Sequence, residues 1–301
     1  LDGHMSIASE QIKDMPSIWR DCLNGKGILD LSSVRVLTNK QLMVSQMSQS
    51  AKFFQFMASK ALRSRVRKVS TLPPFSAKML TYELNEPVLD TNSLIATLAK
   101  VGNIGEGKVV DVNPESGYLK LQNGQEFCAE RIFLTCGGGL ENLLEPNIIK
   151  VQKRPLKMLF ISGSNLPSVY SHIVGTSMKP LATITSNDNG WYVGGQIAEE
   201  VHLSDSKVIH NSKVLLKSVF PFINFDELQY RIIWIERVEP RNNLFKRPDK
   251  PYSKVLGRVC VGLPVKLVFA PMLAEMLFQY SSKTFIQEVP NLPFPKFSKI
   301  L

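Results

Sequence analysis

The sequence predicts a mixed α/β fold in which two interleaved sets of segments build two domains. Three observations predict it. Alternating apolar runs bounded by turn residues fill 107–135, which is strand patterning. Helix-spaced apolar residues precede and interrupt the strands, so neither a lone bundle nor a lone barrel fits. A late apolar strand near 256–262 reads as returning to a sheet begun early, near 132–134. With 301 residues and 44% hydrophobic content, the chain can bury a sizeable core and is not a disordered polymer.

Ile7, Ile12, Ile18, Trp19 and Leu23 recur at helical spacing and predict a helix over 6–23, ended by Asn24-Gly25, with Pro16 as a kink or break. A strand at 34–37 follows. A helix over 53–67 carries Phe53, Phe54, Phe56 and Met57, and a proline-containing loop covers 71–77. The next helix, 92–101, is entered after Asp90-Thr91-Asn92, which offers capping side chains. Strands KVVDV, YLKL, EFCAE and RIFLT come next, and Asn123-Gly124 between two of them is a strong hairpin signal. The last of these strands runs into Cys136-Gly137-Gly138-Gly139. A buried strand ending in a glycine loop is where α/β proteins place phosphate or ribose. Strands at 157–163, 180–186 and 191–195 precede a helix over 205–219, whose apolar positions are Val208, Ile209, Leu215, Leu216 and Val219. Strand IIWIERV, loop EPRNNLFKRPDKPY, strand VLGRVCVG and a helix from about 265 to 280 complete the pattern, before a proline-rich tail over 281–301.

Lys and Arg number 36 against 26 Asp and Glu, a formal charge of +10. That balance points to acidic ligands, nucleic acid or a membrane surface. The excess reads as spread along the chain and dense only at 60–68 (KALRSRVRK), the basic end of an amphipathic helix. No base-stacking motif accompanies it, so nucleic acid is not expected as a partner. Cys22, Cys128, Cys136 and Cys260 form neither a CxxC pair nor a zinc spacing, and read as reduced, mostly buried thiols in a cytoplasm. The four histidines are scattered, and no metal site is expected. The most apolar stretch, Val259 to Tyr280, is interrupted by Pro264, Lys266, Pro271 and Glu275, so neither a membrane span nor a secretion signal is expected. Gly3-His4-Met5 fits a cloning remnant before an initiator Met5, or a chain entered part-way.

The series EPVLDTNSLIATLAK, the hairpin, NGQEFCAERIFLTCGGG, RPLKMLFIS, WYVGGQIAEE, VEPRNNLFKRPDKP and GLPVKLVFAPMLAEML, taken in order from about Ile7 to Tyr280, resembles FAD-dependent oxidoreductases of the D-amino-acid oxidase and glycine oxidase superfamily. The resemblance implies a Rossmann-like FAD-binding domain (1–28, 85–146 and 254–280) intertwined with a mixed-sheet substrate domain (29–84 and 147–253). It implies FAD as cofactor and hydride transfer from a small amine or amino acid. The family's N-terminal GxGxxG turn has no counterpart in the sequence. On the family pattern, then, the first βαβ segment lies upstream of residue 1, and these 301 residues hold FAD weakly or not at all.

The resemblance also assigns candidate residues. Thr135, Cys136, Gly137 and Gly138 match the second flavin contact, with Cys136 where the family has alanine and read as a small buried residue. Gly262, Leu263, Pro264, Val265 and Lys266 match the start of the closing helix, whose dipole and lysine would stabilise negative charge on a reduced flavin. Val265 replaces a hydroxyl residue there. Read on backbone grounds alone, the same residues are a tight glycine turn and helix punctuation with a surface lysine. Arg241 is a candidate for gripping a substrate carboxylate, in competition with Arg237 and Arg247, or else pairs with Glu236, Glu239 or Asp249. Tyr192 is a pocket wall or a core residue. His172, in a loop YSHIVG, lines the pocket or packs. No catalytic base is assigned, because the flavin itself accepts the hydride. Two alternatives stand beside this one: a flavin-free binding protein that keeps the fold, and a basic nucleic-acid-binding protein resting on 60–68.

Overall fold

The computed structural model describes residues 15–27, 29–62, 66–145, 148–177, 179–241, 248 and 250–281. Among these, two compact units are distinguished. One holds 36–88 and 154–237, the other 15–35, 89–153 and 238–281.

The first unit is built on an eight-stranded sheet. Its order is Gln229–Pro240, Val151–Ser162, Gly190–Gly194, Ala182–Asn187, Tyr170–Ile173, Gln41–Ser45, Leu80–Leu84 and Arg67–Val69. Tyr170–Ile173 runs parallel to Gln41–Ser45 and antiparallel to Ala182–Asn187. Side chains alternate across a strand. One face therefore presents Leu159, Ile161, Ile173, Ala182, Ile184, Trp191 and Val193 to a single core. Helix Asp205–Val219 closes that core with Leu216 and Val219, Ile209 and Leu215 packing against its margin, after Ser204 caps its start by accepting from the Lys207 amide. Trp191 is the centre of the packing. Its indole N–H donates to the Pro167 carbonyl at 2.8 Å, and its ring lies 5.1 Å from Phe220. Buried Lys157 ties the sheet to the helix entry, donating to the Leu203 carbonyl at 2.6 Å and pairing with Asp205 at 2.8 Å.

The opposite face is covered at one end by helix Ser48–Leu62, where Ala51, Phe54 and Ala58 pack on Met43, Tyr82 and Leu84. Toward the other end the same face carries Phe160, Tyr192, Thr185, Thr183 and His172 from four adjacent strands, with Phe160 opposite Tyr192, Tyr192 opposite Thr185 and Thr183 opposite His172.

In the second unit, strand Val259–Leu263 pairs in parallel with Ile132–Leu134 and antiparallel with Tyr252–Leu256. A meander of Val109–Asn113, Tyr118–Leu121 and Glu126–Cys128 forms a separate three-stranded sheet. Val112, Leu134, Leu140, Val259 and Val261 share one core. Helix Ala270–Phe278 packs Leu273 and Leu277 against Cys260. Helix Met15–Leu23 lies against Leu267–Phe269 and helix Ala270–Phe278, with the Trp19 indole donating to Val268 O at 3.1 Å. Helix Thr91–Leu98 starts at Asp90, whose carboxylate accepts from the Ser93 amide.

Several local expectations need correction. Pro16 is the second described residue of helix Met15–Leu23, and the segment on its amino-terminal side, on which the expected kink depends, lies outside the described residues. Residues 6–14 of the expected helix and 282–301 of the tail lie outside the described residues. The second helix begins at Ser48, not at 53. VLGRVCVG is not one strand: Gly257, at φ +53, turns the chain into a hairpin between Tyr252–Leu256 and Val259–Leu263. The last helix starts at Ala270, after a 3-10 turn at Leu267–Phe269. His172 is in a strand, Tyr170–Ile173, not in a loop. The thiols are not mostly buried, since Cys128 and Cys136 are exposed and only Cys22 and Cys260 are buried.

Candidate functional site

Two groups of candidate residues emerge in the second unit from the carboxyl ends of adjacent parallel strands. Ile132–Leu134 delivers Thr135, Cys136, Gly137 and Gly138; Val259–Leu263 delivers Pro264, Val265 and Lys266. Loops at that edge of a parallel pair are where α/β folds hold ligands. The Gly137 loop closes at once into a 3-10 turn, Gly137–Asn142, whose Gly139 amide donates back to Cys136 O at 3.0 Å. Gly137 has φ +56, and a Cβ placed on it would meet nothing within 4 Å. The glycine is therefore required by backbone conformation, and it faces open space. Gly138 is tighter, with Val238 Cγ2 at 3.3 Å from such a Cβ. Cys136 is exposed, and partial desolvation raises its thiol pKa, so it is disfavoured as a thiolate nucleophile.

On the neighbouring strand the glycine has a different cause. A Cβ on Gly262 would stand 2.8 Å from Leu277 Cδ1 and 3.2 Å from Leu273 Cδ1, so this position lets helix Ala270–Phe278 lie close on the sheet. Leu263 is buried beside it. The chain then makes a turn in which the Lys266 amide donates to Pro264 O at 2.6 Å around Val265 at φ +65. That is a three-residue turn of the rare, strained kind, and a β-branched residue at positive φ is an outlier. The turn swings Lys266 inward: it is 8% exposed, not a surface lysine, and its ammonium lies 5.7 Å over the Phe269 ring. Relieving the strain should be measurable. Val265→Gly is expected to stabilise the fold by about 1 kcal/mol, strain relief of ~2 outweighing ~1 of added chain entropy, read as a higher urea midpoint.

In the first unit Tyr192 and His172 share one sheet face, and Arg241 does not belong to this unit. Tyr192 stacks at 5.0 Å on Phe160, and the Arg231 guanidinium lies 5.3 Å over the same Phe160 ring. The Tyr192 hydroxyl is buried and has no hydrogen-bond partner. His172 is buried, with Nδ1 3.2 Å from Thr183 Oγ1 and Nε2 3.8 Å from the carboxylate of buried Glu86. Burial works to raise the Glu86 pKa, and contact with His172 works to lower it. Arg241 is exposed in the second unit, its amide donating to Lys150 O at 2.8 Å; Arg247 and Asp249 lie outside the described residues.

Sequence reasoning missed Glu86, Phe160 and Arg231. Glu86 follows a strand and precedes Pro87, a local pattern with no chemical signature. Arg231 lies one residue before the expected strand IIWIERV, whereas Phe160 falls inside the expected strand 157–163, where period-2 alternation puts it opposite to core residues Leu159 and Ile161. Among the described residues no group of three or more His, Cys, Asp or Glu is placed to hold a metal ion. No helix among them is long and apolar enough to cross a membrane.

No family model matches the sequence. The chain is 33% identical, over a 322-residue alignment covering 98% of it and 82% of the relative, to a Pseudomonas aeruginosa protein named "Probable FAD-dependent oxidoreductase PA4991". The crystal structure bearing that name superposes with a TM-score of 0.76 at 28% identity, covering 98% of this chain and 84% of that one. Two more distant structures share the fold alone. Glycine oxidase from Geobacillus kaustophilus gives a TM-score of 0.59 at 12% identity, covering 93% of this chain and 80% of that one. L-α-glycerophosphate oxidase from Mycoplasma pneumoniae, solved with FAD bound, gives 0.62 at 10% identity, covering 92% and 82%.

Proposed function

Because the chain belongs to the FAD-dependent oxidoreductases, we propose that it falls in their D-amino-acid oxidase and glycine oxidase superfamily and oxidises a small amine or amino acid at the carbon bearing the nitrogen. FAD, when bound, supplies the hydride acceptor. The chain's own residues bind and orient. Thr135, Cys136, Gly137 and Gly138 would lie along the cofactor, and the open space before Gly137 fits a close approach of ligand to backbone. Gly262 and Leu263 would support the adjoining turn from beneath. Pro264, Val265 and Lys266 would bring a lysine and a helix entry to the ring, where both favour negative charge. We assign the flavin side to 1–28, 85–146 and 254–280, and the substrate side to 29–84 and 147–253. Since the sequence carries no GxGxxG turn, these residues by themselves are proposed to hold FAD weakly. The four free thiols support a reducing, cytoplasmic location.

One observation carries the substrate side. A buried hydroxyl without a partner costs about 1–3 kcal/mol, and Tyr192 has one on the face it shares with His172. A substrate amine or carboxylate would satisfy it. Arg241 remains the candidate for a carboxylate partner, with Arg237 as competitor. Tyr192→Phe keeps the Phe160 stack and removes the oxygen, so kcat/KM for the best substrate in a panel of amines and amino acids should fall about 10–100-fold, with the unfolding midpoint unchanged or raised. Full activity in Tyr192→Phe would take the hydroxyl out of substrate binding.

A further inference from the structure

We propose that helix Ser48–Leu62 and the strand after it dock this protein on an anionic membrane surface. The first observation is the distribution of charge. Between Leu31 and Tyr82 the sequence holds nine Lys and Arg and no Asp or Glu, leaving 27 basic and 26 acidic residues in all the rest. The net charge is thus not spread along the chain. It belongs to one segment, and most of that segment folds into the first unit.

The second observation is what the same helix exposes. Ala51, Phe54 and Ala58 face inward, as its packing requires, yet Phe53 is 42% and Phe56 is 55% exposed. Met47, immediately before the helix, is 45% exposed. At 3.6 residues per turn, Lys52, Phe53 and Phe56 lie within about 100° of one another around the axis. This outward face mixes aromatic rings with a cation, where a solvated helix would place polar residues. The helix is also held firmly. Gln55 Nε2 donates to Val66 O at 3.0 Å, and the Val66 amide donates to Ser59 Oγ at 3.4 Å, which ties the helix to Arg67–Val69 at the sheet edge. Lys52, Arg67 and Lys68 are exposed, and no carboxylate among the described residues pairs with them.

Aromatic and basic side chains on one exposed helix face are the features of an interfacial helix, which buries its rings at the headgroup boundary while its cations meet anionic lipid. A second copy of the chain is the poorer occupant, since it would set the exposed cations Lys52, Arg67 and Lys68 against their own copies. Nucleic acid fits less well, since the rings stand on a convex helix and not in a groove that tracks a strand. The helix is too short to cross the bilayer, so the contact is peripheral.

Co-sedimentation of the full chain with vesicles of phosphatidylcholine, with and without phosphatidylglycerol, tests this. Binding is expected only with the anionic lipid and should weaken as salt rises. Lys52→Gln with Lys68→Gln should lower the partition coefficient roughly 30-fold, about fivefold per cation. Phe53→Ser with Phe56→Ser should lower it about tenfold or more, with the circular-dichroism spectrum and unfolding midpoint showing that each variant is folded. Absence of binding, equal binding to neutral vesicles, or binding indifferent to both variant pairs would overturn the proposal. So would concentration-dependent dimerisation abolished by the phenylalanine variant without any vesicle binding, or RNA binding that uses the same residues while vesicles are ignored.

Discussion

Trp191→Ala is expected to destabilise the protein by about 4–5 kcal/mol, close to the whole stability of a marginal domain. The indole is 1% exposed, its ring packs on Phe220 and Phe225, and its N–H satisfies the Pro167 carbonyl. Truncation would leave a cavity among rings that cannot collapse freely, plus a carbonyl without its donor. Urea unfolding followed by far-ultraviolet circular dichroism reads the loss. Trp234→Ala is the contrast: that ring is 58% exposed, and its removal should cost less than about 1 kcal/mol. Equal effects from the two tryptophans would contradict the core placed between the sheet and helix Asp205–Val219.

Gly137→Val should act mainly on the cofactor. A β-branched residue at φ +56 costs about 1–2 kcal/mol of fold stability, but its side chain meets no protein atom nearby. The added atoms would occupy the space proposed for flavin. An overlap worth about 1–3 kcal/mol weakens binding roughly 10–100-fold, read by titrating the protein into FAD and following flavin fluorescence. Gly262→Ala makes the informative comparison. It strikes Leu277 and Leu273, so it should lower stability first. Unchanged FAD affinity in folded Gly137→Val would remove that loop from the cofactor site.

The parts of the fold that were legible in the sequence are those whose cause is local. Helix Asp205–Val219 has a serine cap, a first-turn acid and helix-spaced apolar residues, and it forms over the residues expected. The Asn123-Gly124 turn, with Gly124 at φ +91, joins the two strands its dipeptide announces. Strand Gln41–Ser45 was not legible, because it is held by a parallel partner far along the chain, Met43 opposite His172. Gly257 was passed over because Leu-Gly-Arg lacks the usual hairpin residues, although its positive φ does the same work. At the candidate site, the resemblance located two loops whose strands prove to be parallel neighbours. What it could not show are properties of assembly: a tyrosine hydroxyl buried without a partner, a lysine swung inward by a strained turn, and a glutamate brought to His172 from another strand end. The charge asymmetry of 31–82 was legible throughout, but its meaning needed the exposed faces of Phe53 and Phe56.

Oxidation of a small amine or amino acid through FAD is the activity proposed for this chain. The most direct test mixes the protein with excess FAD in the absence of oxygen, adds a panel of amines and amino acids one at a time, and follows the yellow absorbance of the protein-bound flavin. Bleaching is expected with at least one member of the panel, slowed about 10–100-fold in Tyr192→Phe. Protein that binds FAD and keeps its full absorbance across the panel, or that takes up no FAD at any concentration, would contradict it.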